Sequence, residues 1–196
     1  MKPIIFSTEM VKAILSGRKT QTRRVIRPQP VSLDSLYPND SSHVEFWEIV
    51  DSPSLWCPYG RPGDILWVRE SFCIGLPNTW QTLNKKLNPD DPDEAAYFKA
   101  GWDRSHPYWR PSIHMPRWAS RIKLKILRII LEKLQDISRE DCYKEGIENQ
   151  ILTPAHSPIE KKIYSEIWDS INKKRGFGWD KNSWVWVITF QLWEEK

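Results

Sequence analysis

The sequence predicts an α+β fold organised around a small β-barrel, because several separated strand patterns occur with only a few helical ones. Of the 196 residues, 40% are hydrophobic and 28% are charged, which suits a globular chain with a packed core. The length accommodates one such domain, and no internal repeat divides it. We therefore expect a single domain over residues 1–196, with long inserted loops at about 28–62 and 75–112.

The first two elements are predicted to be a helix over residues 8–16 and an extended strand over residues 19–26. Ser7 or Thr8 can cap the helix, and Gly17 can adopt the left-handed conformation that ends it. Threonine and β-branched residues then favour the strand, which prolines terminate. The apolar residues of the helix recur at helical spacing at Met10, Val11, Ile14 and Leu15.

The remaining strands are predicted from β-branched and aromatic runs bounded by turn residues. The strand that begins at Ala119 is the clearest, because Ile122, Leu124 and Ile126 alternate with three cations. This is the pattern of a strand with one buried face. The other strands are predicted at 46–50, 65–70, 97–99 and 184–193.

Two more helices are predicted in the second half of the chain. Ser138 is a good N-cap and Gly146 a good terminator for the first of them. Glu145 lies in its last turn, where the helix dipole disfavours a carboxylate, so we expect a cationic partner from elsewhere. The last helix is predicted over 158–173, with an apolar face formed by Ile163, Ile167, Trp168 and Ile171.

Cysteine, histidine and hydropathy patterns exclude several classes of protein. Three cysteines and four histidines are scattered without a metal-ligand spacing, so we expect no metal, no cofactor and no disulfide framework. No apolar run is long enough to span a bilayer, and no signal-peptide pattern is present. These features favour a cytoplasmic protein that does not contact membranes, and they leave its oligomeric state open.

Basic residues are concentrated in two segments although the net charge is only +4. Residues 1–30 and residues 101–130 each carry seven Lys or Arg and one acid, so the rest of the chain is acidic. The densest run is Gly17–Arg24, with four cations and two threonines. This segregation favours a localised anion-binding face, with the 101–130 segment as a candidate far wall. Two solvated faces that never meet are the alternative.

Five blocks in order resemble the ASCH domain family in the long form found in phage and prophage proteins. The first is Gly17-Arg18-Lys19-Thr20, followed by Thr22 and Arg24, and the second is Pro62–Glu70. The resemblance covers nearly the whole chain. The other blocks are Arg110–Ile122, Leu134–Ile147, and the closing pair Trp168–Asn172 and Trp184–Ile188.

The resemblance implies a PUA-like fold, a small twisted β-barrel with flanking helices and a cleft beside the first helix. It also implies RNA-related roles. One small relative hydrolyses N4-acetylcytidine with a lysine, a threonine and a glutamate, which correspond here to Lys19, Thr22 and Glu145. The glutamate corresponds by alignment of the helix caps. Another relative is described as a ribonuclease, so kinship alone does not determine the reaction.

The candidate catalytic residues are therefore Lys19, Thr22 and Glu145, which suit amide hydrolysis without a metal. Each has a structural alternative: a lysine at a helix end, a strand threonine bonded to the backbone, and a solvated glutamate. Arginines suit phosphate contacts, although at least one is expected to pair with an internal acid such as Glu70 or Asp64. The candidate ligand-binding residues are Arg18, Arg23, Arg24, Arg69, His114, Arg117, Trp118 and Trp179, and Arg27 also suits phosphate.

Sequence reasoning leaves four functions open. The first is binding of RNA or a nucleotide-like ligand in a basic cleft, and the second is hydrolysis of an acylated pyrimidine nucleoside. The third is ribonuclease activity. The fourth is that of a phage or prophage adaptor that binds a host protein through its long loops.

Overall fold

The computed structural model describes residues 1–30, 43–45, 56–75, 95–102, 109–148 and 159–194. Helices and strands are both present, which confirms the α+β class. None of the helices in these ranges is long and apolar enough to cross a membrane. The helices are α1 (Thr8–Leu15), α2 (Arg139–Lys144) and α3 (Ile159–Asn172). The strands are β1 (Lys2–Ile5), β2 (Gln21–Val25), β3 (His43–Glu45), β4 (Ile65–Arg69), β5 (Phe72–Gly75), β6 (Ala95–Phe98), β7 (Lys123–Lys133) and β8 (Trp184–Leu192).

The main sheet has six strands, of which five follow the order β1-β4-β7-β8-β2. The short strand β3 pairs with the far end of β7, on the edge that β4 occupies at the near end. A separate two-stranded sheet joins β5 to β6. No pairing between β1 and β2 closes the main sheet into a barrel within the described ranges, so β2 keeps one edge without a strand partner.

The central strand β8 has a hydrophobic cluster on each of its faces. Its even-numbered residues, including Trp186 and Ile188, belong to a first cluster that includes α1, β1 and β4. Its odd-numbered residues Val185 and Val187 belong to a second cluster beneath α2 and α3. Because side chains alternate along a strand, β8 contributes residues to both clusters and so joins them. The tryptophans predicted to be core, Trp67, Trp184 and Trp186, are all buried.

A β-bulge between Ile126 and Arg128 changes which residues of β7 face each cluster. Before the bulge, even-numbered residues such as Leu124 face the first cluster, as the alternating pattern predicts. After it, odd-numbered Ile129 faces that same cluster. The extra residue in the bulge exchanges the faces on which even-numbered and odd-numbered side chains lie. Glu132 is thereby turned toward the second face, where the sheet meets α2.

The helix ends agree with the caps predicted from the sequence. The Ser7 and Ser138 side chains accept hydrogen bonds from the third residues of α1 and α2, Met10 and Asp141. Gly17 and Gly146 follow these helices with φ angles of 75° and 97°, in the left-handed region. The predicted apolar face of α3 was partly wrong. Ile171 is exposed, and Tyr164 is buried on the inner face of the helix. Helical spacing explains this, because Tyr164 and Trp168 lie four residues apart.

Several loop predictions fall on positions outside the described ranges. The strand predicted at 46–50 lies there, and only its predecessor β3 at 43–45 is described. Most of the predicted insertions at about 28–62 and 75–112 also lie there. Glu70, one of the internal acids suggested as a partner for a phosphate-binding arginine, pairs with a different arginine. Arg121 on the approach to β7 contacts Glu70 instead, with Nε 2.9 Å from the carboxylate.

Candidate functional site

A cleft of about 390 Å³ lies along the free edge of β2. One wall comes from the turn between β1 and α1, and the opposite wall comes from α3 and the turn that follows it. Its volume is near the lower end of the range typical of small-molecule sites. Among the described residues, the lining includes five cations, Lys19, Arg23, Arg24, Arg27 and Arg175, and a single carboxylate, Glu145.

Lys19 and Glu145 form a buried ion pair in this cleft. The Lys19 Nζ lies 2.6 Å from Glu145 Oε2 and donates a second hydrogen bond of 2.7 Å to the Glu145 carbonyl oxygen. The two side chains are only 2% and 6% exposed. The cationic partner expected for Glu145 at the end of its helix is therefore Lys19, and the solvated-glutamate alternative is wrong.

Backbone hydrogen bonds place Lys19 against the end of α2. The Lys19 N–H donates to Ala13 at the end of α1, and the Thr20 N–H donates to Lys144 at the end of α2. Gly146 follows α2 and approaches α1 and the segment after it closely, since a Cβ there would lie 3.0 Å from Ala13 and 3.3 Å from Lys19. Two helix termini and one glycine therefore fix the position of the pair.

Arg23 connects Glu145 to two further acids on the second face of the sheet. Its guanidinium contacts Glu132 through Nε at 2.6 Å, Asp141 at 3.3 Å and the second Glu145 oxygen at 3.3 Å. The side chain is fully buried. Buried charges require such compensation. Among the arginines predicted to bind phosphate, Arg23 is therefore the one that pairs with internal acids. Its contact with Glu145 orients that carboxylate toward Lys19.

Burial changes the protonation behaviour of this cluster. Desolvation lowers the pKa of Lys19, and the attraction of Glu145 only partly opposes this. Desolvation also raises the pKa of Glu132 despite its contact with Arg23. Tyr164, which lines the same cleft, has its pKa raised well above the ordinary value because it is buried and near Glu145. Lys19 is the member whose shift favours a neutral, basic form.

Thr22 lines the same cleft from β2 and is buried. It pairs with Ile188 across the sheet, so it lies on the first face together with Arg24, whereas Arg23 lies on the second. Side chains on both faces of β2 can line the cleft because β2 is the last strand of the sheet. Lys19, Thr22 and Glu145 therefore share one cavity, and the Lys19–Glu145 contact is direct.

The other cations of the cleft have no carboxylate partner among the described residues. Arg24 donates a 2.7 Å hydrogen bond to the Ile5 carbonyl and stacks over Phe6, with the guanidinium carbon 5.0 Å from the ring centre. Arg27 stacks over Phe177 at 4.6 Å. Arg27 and Arg175 are exposed at the mouth. This end of the cleft consequently carries uncompensated positive charge.

Apolar and aromatic side chains form the rest of the lining. Tyr164 and Trp168 are buried on α3, and Phe6 is buried beside α1. The half-buried Tyr59 completes the aromatic surface. Such a surface suits a flat ring stacked or inserted between the walls.

The remaining predicted binding residues lie outside the lining of the cleft. Arg18 contacts Ser16, Gly146 and Glu148 at the surface. Arg69 donates to the Met115 carbonyl. Trp179 packs edge-on against Tyr164, 6.1 Å between ring centres, within the second cluster. His114, Arg117 and Trp118 are exposed on two short 3-10 turns.

The 101–130 segment is not the far wall of the cleft in the described part of the chain. None of its residues lines the cavity, and α3 and Arg175 occupy that position instead. Sequence reasoning missed Glu132, Tyr164, Trp168 and Arg175 as residues near the site. One signal in the sequence could have indicated the ion network: Glu132 stands inside an apolar strand pattern. A buried carboxylate without a partner is costly, so such a residue predicts a cation nearby.

Comparisons of the chain with protein-family models, with curated proteins and with solved structures find no match. Within the described ranges, no group of three or more His, Cys, Asp or Glu side chains could hold a metal ion. The three cysteines are buried and free.

Proposed function

We propose that the chain binds RNA or a nucleotide-like ligand in the cleft along β2. The proposal includes the ASCH resemblance and a PUA-like arrangement of the main sheet, with the hydrogen bond from Arg24 to Ile5 bridging β2 and β1 where a barrel would close. The single observation that carries the proposal is the lining. It combines five cations and one carboxylate with buried aromatic rings in a cavity of small-molecule size.

Charge supports an anionic ligand. Lys19 and Arg23 are compensated by acids, whereas Arg24, Arg27 and Arg175 have no carboxylate contact among the described residues. Guanidinium groups bind phosphate through paired hydrogen bonds. Aromatic groups in the same cleft can stack on a base.

Binding is tested with labelled single-stranded RNA and with free nucleotides at increasing salt. We expect an RNA association that weakens as salt rises, since the arginines of the cleft neutralise phosphate charge. Arg24→Ala should weaken it. Lys174→Ala is the matched control, because Lys174 is exposed, lies next to Arg175 and does not line the cleft. Equal losses in the two variants would contradict a cleft-directed site.

A second candidate is metal-independent hydrolysis of an acylated nucleoside, which the Lys19–Glu145 contact favours. Lys19 in its neutral form would take the Thr22 hydroxyl proton while the oxygen attacks the acyl carbon. The tetrahedral intermediate would release the amine after protonation by Lys19, with Glu145 holding that ammonium group. Water would then cleave the acyl ester and regenerate the Thr22 hydroxyl.

The hydrolase is tested with N4-acetylcytidine by following release of cytidine. We expect Lys19→Ala and Thr22→Val to abolish turnover, whereas Lys174→Ala retains it. Folding of each variant is checked by circular dichroism. Turnover that persists in Lys19→Ala would reject the mechanism.

Cleavage of labelled RNA in the binding assay would indicate a ribonuclease. The absence of binding and of both reactions would favour the host-protein adaptor.

A further inference from the structure

We propose that the mouth of the cleft is a phosphate-monoester subsite formed by Arg24, Arg27 and Arg175. The ligand would then be a nucleoside monophosphate rather than an uncharged nucleoside. This inference rests on the proposed function, because it specifies the chemical form of the ligand in the same cleft.

The two ends of the cleft differ in charge. At the buried end, the Lys19 ammonium group contacts Glu145, and the Arg23 guanidinium contacts Glu132, Asp141 and Glu145. These cations have their compensation within the protein. At the other end, the exposed Arg27 and Arg175 and the half-buried Arg24 have no ion pair with the described residues, and no described acid besides Glu145 lines the cavity. An external anion would therefore bind at the mouth.

Arg24 is held so that it retains hydrogen-bonding capacity. One terminal nitrogen donates to the Ile5 carbonyl at 2.7 Å, and the guanidinium stacks on Phe6. Its Nε–H is shielded from solvent and has no acceptor. A buried donor without an acceptor is costly. Because Nε is closed to solvent, a phosphate oxygen would accept from the terminal nitrogen that does not bond to Ile5.

Arg27 and Arg175 are the exposed cations of the lining, and Arg27 stacks on Phe177. The Arg27 guanidinium lies 4.6 Å from the Phe177 ring centre, which restricts its plane. Arg175 ends the short 3-10 turn Lys173–Arg175, which Gly176 terminates in the left-handed conformation. Stacking leaves the edges of a guanidinium free for hydrogen bonds, the geometry that bidentate phosphate binding uses.

A monoester suits these charges better than a diester. A phosphate monoester carries about −1.5 to −2 charges at neutral pH, so it offsets more of three positive charges than a singly charged diester does. The cavity of about 390 Å³ suits one nucleotide, with the base against the aromatic side chains of the lining, which include Tyr59 and Trp168. The uncharged part of the ligand then lies at the end where the protein charges are already paired.

The test uses isothermal titration of the full chain with AMP, GMP, CMP and UMP, with the four matching nucleosides, and with inorganic phosphate. We expect at least one monophosphate to bind about tenfold or more tightly than its nucleoside, since hydrogen bonds to charged groups are the stronger ones. In Arg27→Ala/Arg175→Ala that preference, measured as the ratio of the nucleoside Kd to the monophosphate Kd, should fall by about tenfold. Lys174→Ala should preserve the preference. A short 5′-phosphorylated oligoribonucleotide distinguishes a free nucleotide from an RNA end.

The outcomes separate this inference from the proposed function. If nucleosides and monophosphates bind equally, or if the double variant weakens both alike, the subsite is wrong while the binding cleft stands. If RNA binds through the cleft but no mononucleotide does, the subsite is also wrong. If RNA, nucleosides and monophosphates all fail to bind, both proposals are overturned.

Discussion

The Lys19–Glu145 pair is the residue-scale feature on which the candidate chemistry depends. Each group is buried, so neither can be solvated by water, and each offsets the desolvation of the other. The Glu145 backbone carbonyl adds a second acceptor for Lys19, and Arg23 supplies a second cation for Glu145. The candidate functional site and a structural ion pair are therefore the same set of atoms.

Replacing Glu145 should reveal the cost of an uncompensated lysine. We expect Glu145→Gln to lower the free energy of unfolding by about 3 kcal/mol, because Lys19 would remain buried without its carboxylate. Urea denaturation measures the change. Glu148→Gln is the control, since its side chain is 81% exposed and contacts only surface Arg18 in the described part of the chain, and it should cost less than about 0.5 kcal/mol. Similar values for the two variants would show that the pair is solvated in solution.

The lowered pKa of Lys19 predicts a pH dependence of stability. As pH rises toward the ordinary lysine value of 10.5, the unfolded chain retains a proton that the folded chain has already released. Stability due to Lys19 should therefore increase with pH in this window. The burial-raised pKa values of Cys57 and Cys142 act in the opposite direction above 9, so the measured quantity is the difference between the natural chain and Lys19→Met. A difference that is flat with pH would contradict the shift.

At the scale of elements, two helix ends carry the site, and their terminating glycines have different surroundings. Gly17 and Gly146 both adopt positive φ after a helix. A Cβ on Gly17 would meet nothing within 4 Å, whereas one on Gly146 would meet Ala13 and Lys19. The end of α2 is therefore packed directly against the segment that presents Lys19.

This contrast provides a matched pair of substitutions. Gly17→Ala should cost about 1–2 kcal/mol, the strain of a left-handed alanine. Gly146→Ala should cost at least about 1 kcal/mol more, because the added methyl must also displace Ala13 or Lys19. Thermal and urea denaturation measure both variants. If the two losses are equal, the close approach at Gly146 is absent.

At the scale of the whole molecule, β8 joins the two hydrophobic clusters, and the cleft lies where both reach the free edge of β2. Val187 and Ile188 are adjacent, yet they belong to different clusters. Their strand partners in β2 are Arg23 and Thr22, so the same alternation places the ion network on one face and the candidate nucleophile on the other. Stability and site geometry are therefore coupled through one strand pair.

We expect both clusters to unfold in a single transition. Ile188→Ala should lower stability by about 2–5 kcal/mol, and Val187→Ala by about 2 kcal/mol, because each leaves a cavity beside a fully packed strand. Gln191→Ala, at an exposed position of β8, is the control. Tryptophan fluorescence and far-ultraviolet circular dichroism should give coincident curves for every variant. Separate transitions would show that the clusters fold independently.

Local patterns in the sequence predicted most of the elements that carry the site. The Ser7 and Ser138 caps and the terminal Gly17 and Gly146 are local signals, because each satisfies backbone groups within one turn. The predictions for two elements were less accurate because those elements depend on contacts with distant parts of the chain. The extent of β7 depends on pairing with β8, and the inner face of α3 depends on which residues meet the second cluster.

The sequence by itself determined the α+β class, the helix boundaries and the need of Glu145 for a cation. These follow from chain-local geometry and from the electrostatics of a helix end. The tertiary structure decided which cations have acids beside them. The bulge in β7 turned Glu132 toward Arg23, and α3 rather than the 101–130 segment formed the far wall. Strand register and helix docking join residues that are distant in the chain, and no local pattern records them.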